Sequence, residues 1–100
     1  MWSKKKYEVV RLELANLNMQ DAGYFREYLD SILAEENHHI IIDFSSLQSI
    51  GSIGMGVIFS ILKKIKERNG DLQIIGVNQK VLELLKVAKL DKMIPIYSVE

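Results

Sequence analysis

Between residues 40 and 65 the hydrophobic pattern changes twice, and few folds accommodate such a change. Ile40-Ile41-Ile42 is a continuous β-branched run, which is typical of a strand covered on both faces or deep in a sheet. A polar loop and a cluster of glycines follow, and then apolar residues recur with helical spacing. The stretch predicts a central strand, an exposed turn and a helix from about Ile53 to Arg68. The buried stripe of that helix is predicted to be Val57, Ile58, Ile61, Leu62 and Ile65.

The segment before this stretch predicts one strand and one helix. Apolar and charged side chains alternate over residues 10–14, which is typical of an edge strand with one face in water. The chain then turns at residues 15–18, and Asn18 with Asp21 can cap a helix that ends near Asn37. The apolar stripe of this helix is predicted to be Tyr24, Phe25, Tyr28, Leu29, Ile32 and Leu33.

The segment after it predicts two strands separated by a third helix. Leu72 to Val77 has the apolar run of a buried strand, and Asn78 is placed to cap the helix. Ile94 to Tyr97 predicts a short strand, which Pro95 confines to an edge or to its first residues. Alternating strands and helices with short connections indicate an α/β fold with parallel pairing in the middle of its sheet. One hundred residues suffice for one core, so we expect one domain over residues 1–100.

Composition excludes several classes of function. The 13 basic and 13 acidic residues balance, so no overall positive field favours nucleic acid or an anionic membrane. Cysteine is absent, which excludes disulfides, a thiolate nucleophile and Cys-based metal sites and fits a reducing cytoplasm. Residues 44–62 carry no charge, but their serines and glycines argue against a membrane helix.

Two groups of residues resemble ligand sites only in part. The glycines at 51, 54 and 56 do not follow the order of the dinucleotide fingerprint, and no Gly-Lys-Ser/Thr follows them. His38 and His39 are adjacent at a strand start, so they point to opposite faces and are poorly placed to chelate one ion. We therefore expect neither a metal nor a cofactor.

Asp43 precedes Ser45 and Ser46, but no histidine is placed to act as a base in a recognisable hydrolytic order. We expect Asp43 to brace its own turn through hydrogen bonds to the backbone. Since no nucleophile, base and oxyanion donor can be assembled from the motifs, we expect a protein that is not an enzyme.

Ser52 has two interpretations that the residues alone leave open. A serine at a helix start is commonly a cap and needs no further function. Alternatively, it belongs to a surface, because Ser52, Gly56, Phe59 and Lys63 form a row away from the buried stripe, with Met55 beside them. Phe59 and Met55 either form an adhesive patch for a partner or tuck under a neighbouring loop.

These residues carry a resemblance to a known family. The strand ending in Asp43, the segment Ser52-Ile53-Gly54-Met55-Gly56-Val57, and the tail from Asn78 to Tyr97 resemble the STAS domain of bacterial anti-sigma factor antagonists. The resemblance covers essentially the whole chain and implies a mixed sheet of four to five strands backed by helices. It places Ser52 at the serine that a partner kinase phosphorylates.

The chain departs from the family pattern at two motifs. Gly51 stands where the family has an acid before the serine, and Ile53 replaces a second hydroxyl residue. The early Gly-x-Leu-Asp motif appears as residues 15–18, Ala-Asn-Leu-Asn, which lacks both the glycine and the acid.

The resemblance implies a binder that frees a sigma factor by engaging an anti-sigma factor, often a serine kinase, and that phosphorylation of Ser52 switches off. A scaffold role with Ser52 as a cap, with or without weak homodimer formation, stays open, as does a small-ligand role. Neither nucleic acid nor membrane is an expected direct partner. The residues predicted to contact the protein partner are Gly51, Ser52, Ile53, Gly54, Met55, Gly56, Phe59 and Lys63.

Overall fold

A computed structural model describes residues 7–17, 19–34 and 38–98. The described residues form six strands, three α-helices and one short 3₁₀ helix. The predicted cap Asn18 and the predicted stop Asn37 lie outside the described residues. In chain order the elements are β1 Glu8–Arg11, β2 Asn16–Leu17, α1 Met19–Leu33, β3 His39–Asp43, β4 Ser49–Ile50, α2 Ser52–Glu67, β5 Asp71–Val77, α3 Gln79–Val87, the 3₁₀ helix Leu90–Lys92 and β6 Ile96–Ser98.

The central sheet has four strands in the order β1-β3-β5-β6. All three pairings are parallel, with Val10 beside Ile42 and Ile42 beside Ile74. The predicted α/β class with parallel pairing in the middle of the sheet is confirmed. Among the described strands, the two edge strands of this sheet also pair in parallel with their neighbours. The predicted edge positions of the first and last strands are also confirmed, since β1 and β6 lie at the edges of the sheet. Their predicted bounds, residues 10–14 and 94–97, are shifted, because β1 ends at Arg11 and β6 begins at Ile96.

The helices cover one face of this sheet. Every second residue is buried along β3 and along β5 up to Ile74, and these side chains share one core with the helices. They are Ile40, Ile42, Leu72 and Ile74. Ile41 lies on the opposite face and is only half-buried. Of the two alternatives for this run, a position deep in the sheet is confirmed, since β3 lies between β1 and β5. Full burial of both faces is not seen for β3, because a β-branched run does not by itself show whether a second layer packs on the sheet.

The predicted stripe of α1 is correct only for its aliphatic residues and Phe25. Phe25, Leu29, Ile32 and Leu33 are buried, and Ala22 joins them. Tyr24 and Tyr28, by contrast, are 72% and 51% exposed. Placing the two tyrosines in the stripe was wrong, because the buried arc of α1 is narrower than one that admits every aromatic residue.

Two short strands form a separate two-stranded sheet just before α1 and α2. β2 and β4 have two residues each and pair in parallel, with Leu17 beside Ile50. The sequence predicted only a turn at residues 15–18, since a two-residue strand has no periodicity to detect. Both Leu17 and Ile50 are buried, so this pair anchors the segments that lead into α1 and α2.

The ends of α2 and α3 follow from local chemistry. The Asn78 side chain accepts a hydrogen bond from the Val81 amide at 2.8 Å, so the predicted cap of α3 is confirmed. After α2, Asn69 adopts a left-handed conformation with φ of 59°, and Gly70 packs so close to His38 that a side chain would collide with it. None of the described helices is both long and apolar enough to cross a lipid bilayer.

Candidate functional site

The N-terminus of α2 presents Ser52 to solvent. Gly51 is the N-cap residue, with extended backbone and no side chain to accept a hydrogen bond from the first turn. Ser52 is the first helical residue and is exposed. The interpretation of Ser52 as the helix cap is therefore wrong, and its hydroxyl lies at the positive end of the helix dipole without a capping role.

Gly54 lies on the buried side of the same helical turn. A Cβ atom at this position would lie 2.9 Å from both the Cγ atom and the carbonyl oxygen of Leu17 and 3.0 Å from Cγ1 of Ile50. Glycine is required here because β2 and β4 approach the helix closely. Gly54 was grouped with the partner-contacting residues, but it is buried next to Leu17 and Ile50, so in this structure its role is to let these strands approach the helix.

The other side of α2 carries an exposed row, which consists of Ser52, Gly56, Phe59 and Lys63. A side chain at Gly56 would meet nothing within 4 Å. Phe59 is neither fully covered nor fully free, because 37% of the residue is exposed. Met55 is half-buried and packs against the core, so it borders the row.

Ile53 lies on the side of α2 that faces α1. It is 44% exposed and lines a cavity of about 200 Å³ together with Ala22, Gly23, Arg26 and Val57. Ile53 therefore flanks Ser52 on the side away from Phe59.

The exposed row leads into a groove at the far end of α2. The groove has a volume of about 890 Å³ and lies between α2 and the end of the 3₁₀ helix. Sequence reasoning found Phe59 and Lys63 but missed the other residues, because nothing in the local pattern brings Met93 beside α2. The lining residues are Phe59, Leu62, Lys63, Lys66, Glu67, Lys92 and Met93.

The turn after β3 is held by Asp43, as predicted. Its Oδ1 atom accepts a hydrogen bond from the Ser45 amide at 2.9 Å and a second, short one from the Ser45 hydroxyl. The hydrogen bond from the Ser45 hydroxyl is the main reason why the pKa of Asp43 lies below its ordinary value. The hydrogen bond from the Ser45 amide and the charge of Arg11 also lower this pKa, whereas partial burial raises it. Gly76, with φ of +74°, passes so close that a Cβ atom would lie 2.8 Å from Asp43 Oδ1.

The two histidines make separate contacts. His38 Nε2 lies 3.2 Å from the Leu33 carbonyl oxygen, whereas His39 Nδ1 pairs with Asp71 Oδ1. Tyr7 donates its hydroxyl to Asp71 Oδ2 at 2.6 Å, and this bond to a carboxylate is the main cause that raises the pKa of Tyr7. Within the described part of the chain, no three His, Cys, Asp or Glu residues are grouped to hold a metal ion.

Comparison with known proteins agrees with this architecture. The family model of the STAS domain matches residues 4–100. The chain belongs to the STAS domain family. The resemblance inferred from the residues around Asp43 and Ser52 is thus confirmed over nearly the whole chain.

Relatives of this STAS domain are named as anti-sigma factor antagonists. One from Thermotoga maritima is 31% identical over 90 residues, which cover 89% of this chain and 80% of the relative. An anti-sigma F factor antagonist from Paenibacillus polymyxa is 32% identical over 93 residues, which cover 92% and 79% of the two chains.

Solved structures are similar in fold. The crystal structure of an anti-sigma factor antagonist from Thermotoga maritima has a TM-score of 0.81 at 32% identity and covers 91% of this chain and 80% of its own. SpoIIAA in its unphosphorylated form has a TM-score of 0.69 at 15% identity and covers 100% of this chain and 84% of its own. At that identity, the second likeness concerns the fold alone.

Proposed function

We propose that this STAS domain is an anti-sigma factor antagonist that binds an anti-sigma factor, in the form of a serine kinase, and thereby frees a sigma factor. The observation that carries the proposal is the exposure of Ser52 at the start of α2, in one row with Gly56, Phe59 and Lys63. The names of the relatives from Thermotoga maritima and Paenibacillus polymyxa support the same function.

The docking surface in this proposal follows the exposed side of α2. Gly56 lets a partner backbone approach closely, Phe59 supplies apolar area and Lys63 supplies a charge at the end of the row. Met55 and Ile53 border the row on its two sides, and Gly51 contributes exposed backbone before it. Gly54 is left out of the docking surface because it is buried.

Phosphorylation of Ser52 is the proposed off switch. A phosphate adds about 1.5 to 2 negative charges at pH 7. The positive end of the α2 dipole tolerates that charge within the domain and contributes about 0.3–1 kcal/mol, so the fold needs no rearrangement. At the interface, desolvating the phosphate against an apolar or acidic partner surface costs several kcal/mol and lowers affinity by orders of magnitude.

An affinity pull-down from the cytosol of the source cell, analysed by mass spectrometry, tests this function. The bait is the wild-type chain, Ser52→Asp or Phe59→Ala. We expect the wild type to retain an anti-sigma factor with a kinase-like ATPase domain and both variants to lose it. Retention of the same partner by all three baits, or retention of the bait alone, contradicts the proposal and favours the scaffold role.

Two variants serve as matched controls. Ser31→Asp introduces the same charge at an exposed position of α1, and Val87→Ala removes apolar atoms from a residue of α3 that is 80% exposed. Both controls are expected to retain the partner. If they lose it as well, the loss reflects charge or apolar area in general and not the α2 row.

A further inference from the structure

The groove at the far end of α2 combines an apolar lining with a basic rim. Leu62 is buried in its floor, while Phe59 and Met93 expose part of their side chains along its walls. The α2 residues that line it span positions 59–67, or about 12 Å of helix at 1.5 Å per residue. This length matches two turns of a second helix laid against it.

The charges around the groove are mostly positive. Three lysines, Lys63, Lys66 and Lys92, line it with one carboxylate, that of Glu67. Among residues 7–17, 19–34 and 38–98, none of the three lysines forms an ion pair, whereas the neighbouring Lys64 pairs with Asp30 at 2.8 Å. Three ammonium groups are therefore available to a partner, and they favour one that carries negative charge.

The shape of the groove favours a helical partner over an extended one. No strand residue is among its lining residues, so an extended segment would find no sheet edge with which to share backbone hydrogen bonds. A helix satisfies its own backbone groups and can place apolar side chains at i, i+3 and i+4 against Phe59, Leu62 and Met93.

We propose that this groove binds an acidic amphipathic helix of a protein partner, with apolar side chains in the groove and Asp or Glu side chains facing the three lysines. The groove shares Phe59 and Lys63 with the exposed row, so the two form one continuous surface. As an extension of the docking surface the proposal rests on the proposed function, but its chemistry can be tested without an anti-sigma factor.

The test is a titration of the ¹⁵N-labelled chain with two designed helical peptides, followed by NMR. One peptide carries leucines at helical spacing and glutamates elsewhere, and the other has lysine in place of every glutamate. We expect the acidic peptide to shift the amide signals of Phe59, Leu62 and Met93 saturably. We expect the basic peptide to bind at least about tenfold more weakly. Added salt is expected to weaken binding of the acidic peptide only.

Charge reversal within the groove provides the control. Lys66→Glu combined with Lys92→Glu is expected to lower the affinity for the acidic peptide at least about tenfold. Lys80→Glu combined with Lys86→Glu makes the same charge change at exposed positions of α3 outside the groove and is expected to leave the affinity for the acidic peptide unchanged. The amide spectrum of each variant reports whether it is folded.

Three outcomes overturn the groove proposal. These are equal affinity for both peptides, signal shifts confined to the face of the sheet opposite the described helices, and lysine-dependent binding of phosphatidylglycerol vesicles in place of the acidic peptide. Failure of the proposed function is distinguishable, because the acidic peptide would then bind as described while the pull-down retains no anti-sigma factor.

Discussion

The two sides of α2 differ in what they contact, although they belong to one helix of 16 residues. One side packs into the core through Val57, Ile58, Ile61, Leu62 and Ile65. The other side carries Ser52, Gly56, Phe59 and Lys63 and leads into the groove. We expect substitutions on the first side to cause large losses in the free energy of unfolding. Under the proposed function, substitutions on the second side change that free energy little and change mainly the affinity for a partner.

The largest contrast is expected between Ile61→Ala and Phe59→Ala. Ile61 is fully buried, so its truncation leaves a cavity and is expected to lower the free energy of unfolding by about 2–5 kcal/mol. Phe59→Ala is expected to lower it less, by about 1–2 kcal/mol, because 37% of the residue is already exposed. Urea denaturation of both variants checks this, and equal losses would break the distinction between the two sides.

The two glycines of the same turn sharpen the comparison. Gly54→Ala is expected to destabilise the fold by about 1–3 kcal/mol, since the new methyl group collides with the Leu17 backbone. Gly56→Ala is expected to stabilise it by about 0.5–1 kcal/mol, because alanine favours the helix and the space is open. Thermal unfolding of both variants shows whether each substitution raises or lowers the stability of the fold. A loss of stability in Gly56→Ala would show that this side is packed after all.

Substitution of Asp43 is expected to change the stability of the fold and to leave partner binding by the exposed row of α2 unchanged. Because the pKa of Asp43 is lowered in the folded protein, its carboxylate stabilises the fold above the pKa of the unfolded chain, and this contribution disappears as pH falls through the folded value. Asp43→Asn is expected to cost about 1 kcal/mol at pH 7 and progressively less in acid.

Urea denaturation of Asp43→Asn and the wild type at pH 7, 4 and 3 follows this difference. Glu27→Gln, at an exposed position of α1, is the control for removal of a carboxylate. A difference between Asp43→Asn and the wild type that stays constant from pH 7 to pH 3 would contradict the role of the Asp43 carboxylate.

The smallest expected effect concerns charge at the two helix ends. Ser52→Asp places a negative charge in the first turn of α2 and is expected to stabilise the fold by about 0.3–1 kcal/mol. Ser31→Asp places the same charge in the last turn of α1 and is expected to destabilise it by a similar amount. Chemical denaturation of both variants measures these changes in stability, and high salt is expected to reduce them because it screens the helix dipole. The same sign for both variants would mean that the helix dipole does not account for them.

Hydrophobic spacing in the sequence predicted the helix faces better than it predicted the sheet. The buried stripe of α2 is confirmed at all five positions because aliphatic residues there recur at helical spacing without interruption. The tyrosines of α1 were misplaced because an aromatic ring with a hydroxyl group is compatible with either surface or core. The interior position of β3 was predicted, but whether both of its faces are buried depends on a second layer of structure, which a run of isoleucines does not encode.

The candidate site was predictable only where its residues are close in sequence. The exposed row of α2 follows from helical geometry, so Ser52, Gly56, Phe59 and Lys63 could be grouped in advance. Burial of Gly54 depends on Leu17 and Ile50, which reach it through a two-residue strand pair with no sequence signal. The groove likewise depends on Met93 and Lys92 meeting α2 across the fold.

The central claim is that the exposed side of α2 is a binding surface that phosphorylation of Ser52 disables without altering the fold. Isothermal titration of a purified anti-sigma factor with the chain, unmodified or carrying phosphoserine at position 52, tests it most directly. We predict affinity at least about a hundredfold weaker for the phosphorylated chain, with an unchanged far-ultraviolet circular dichroism spectrum. Equal affinities, or weaker binding accompanied by loss of helical signal, would contradict the claim.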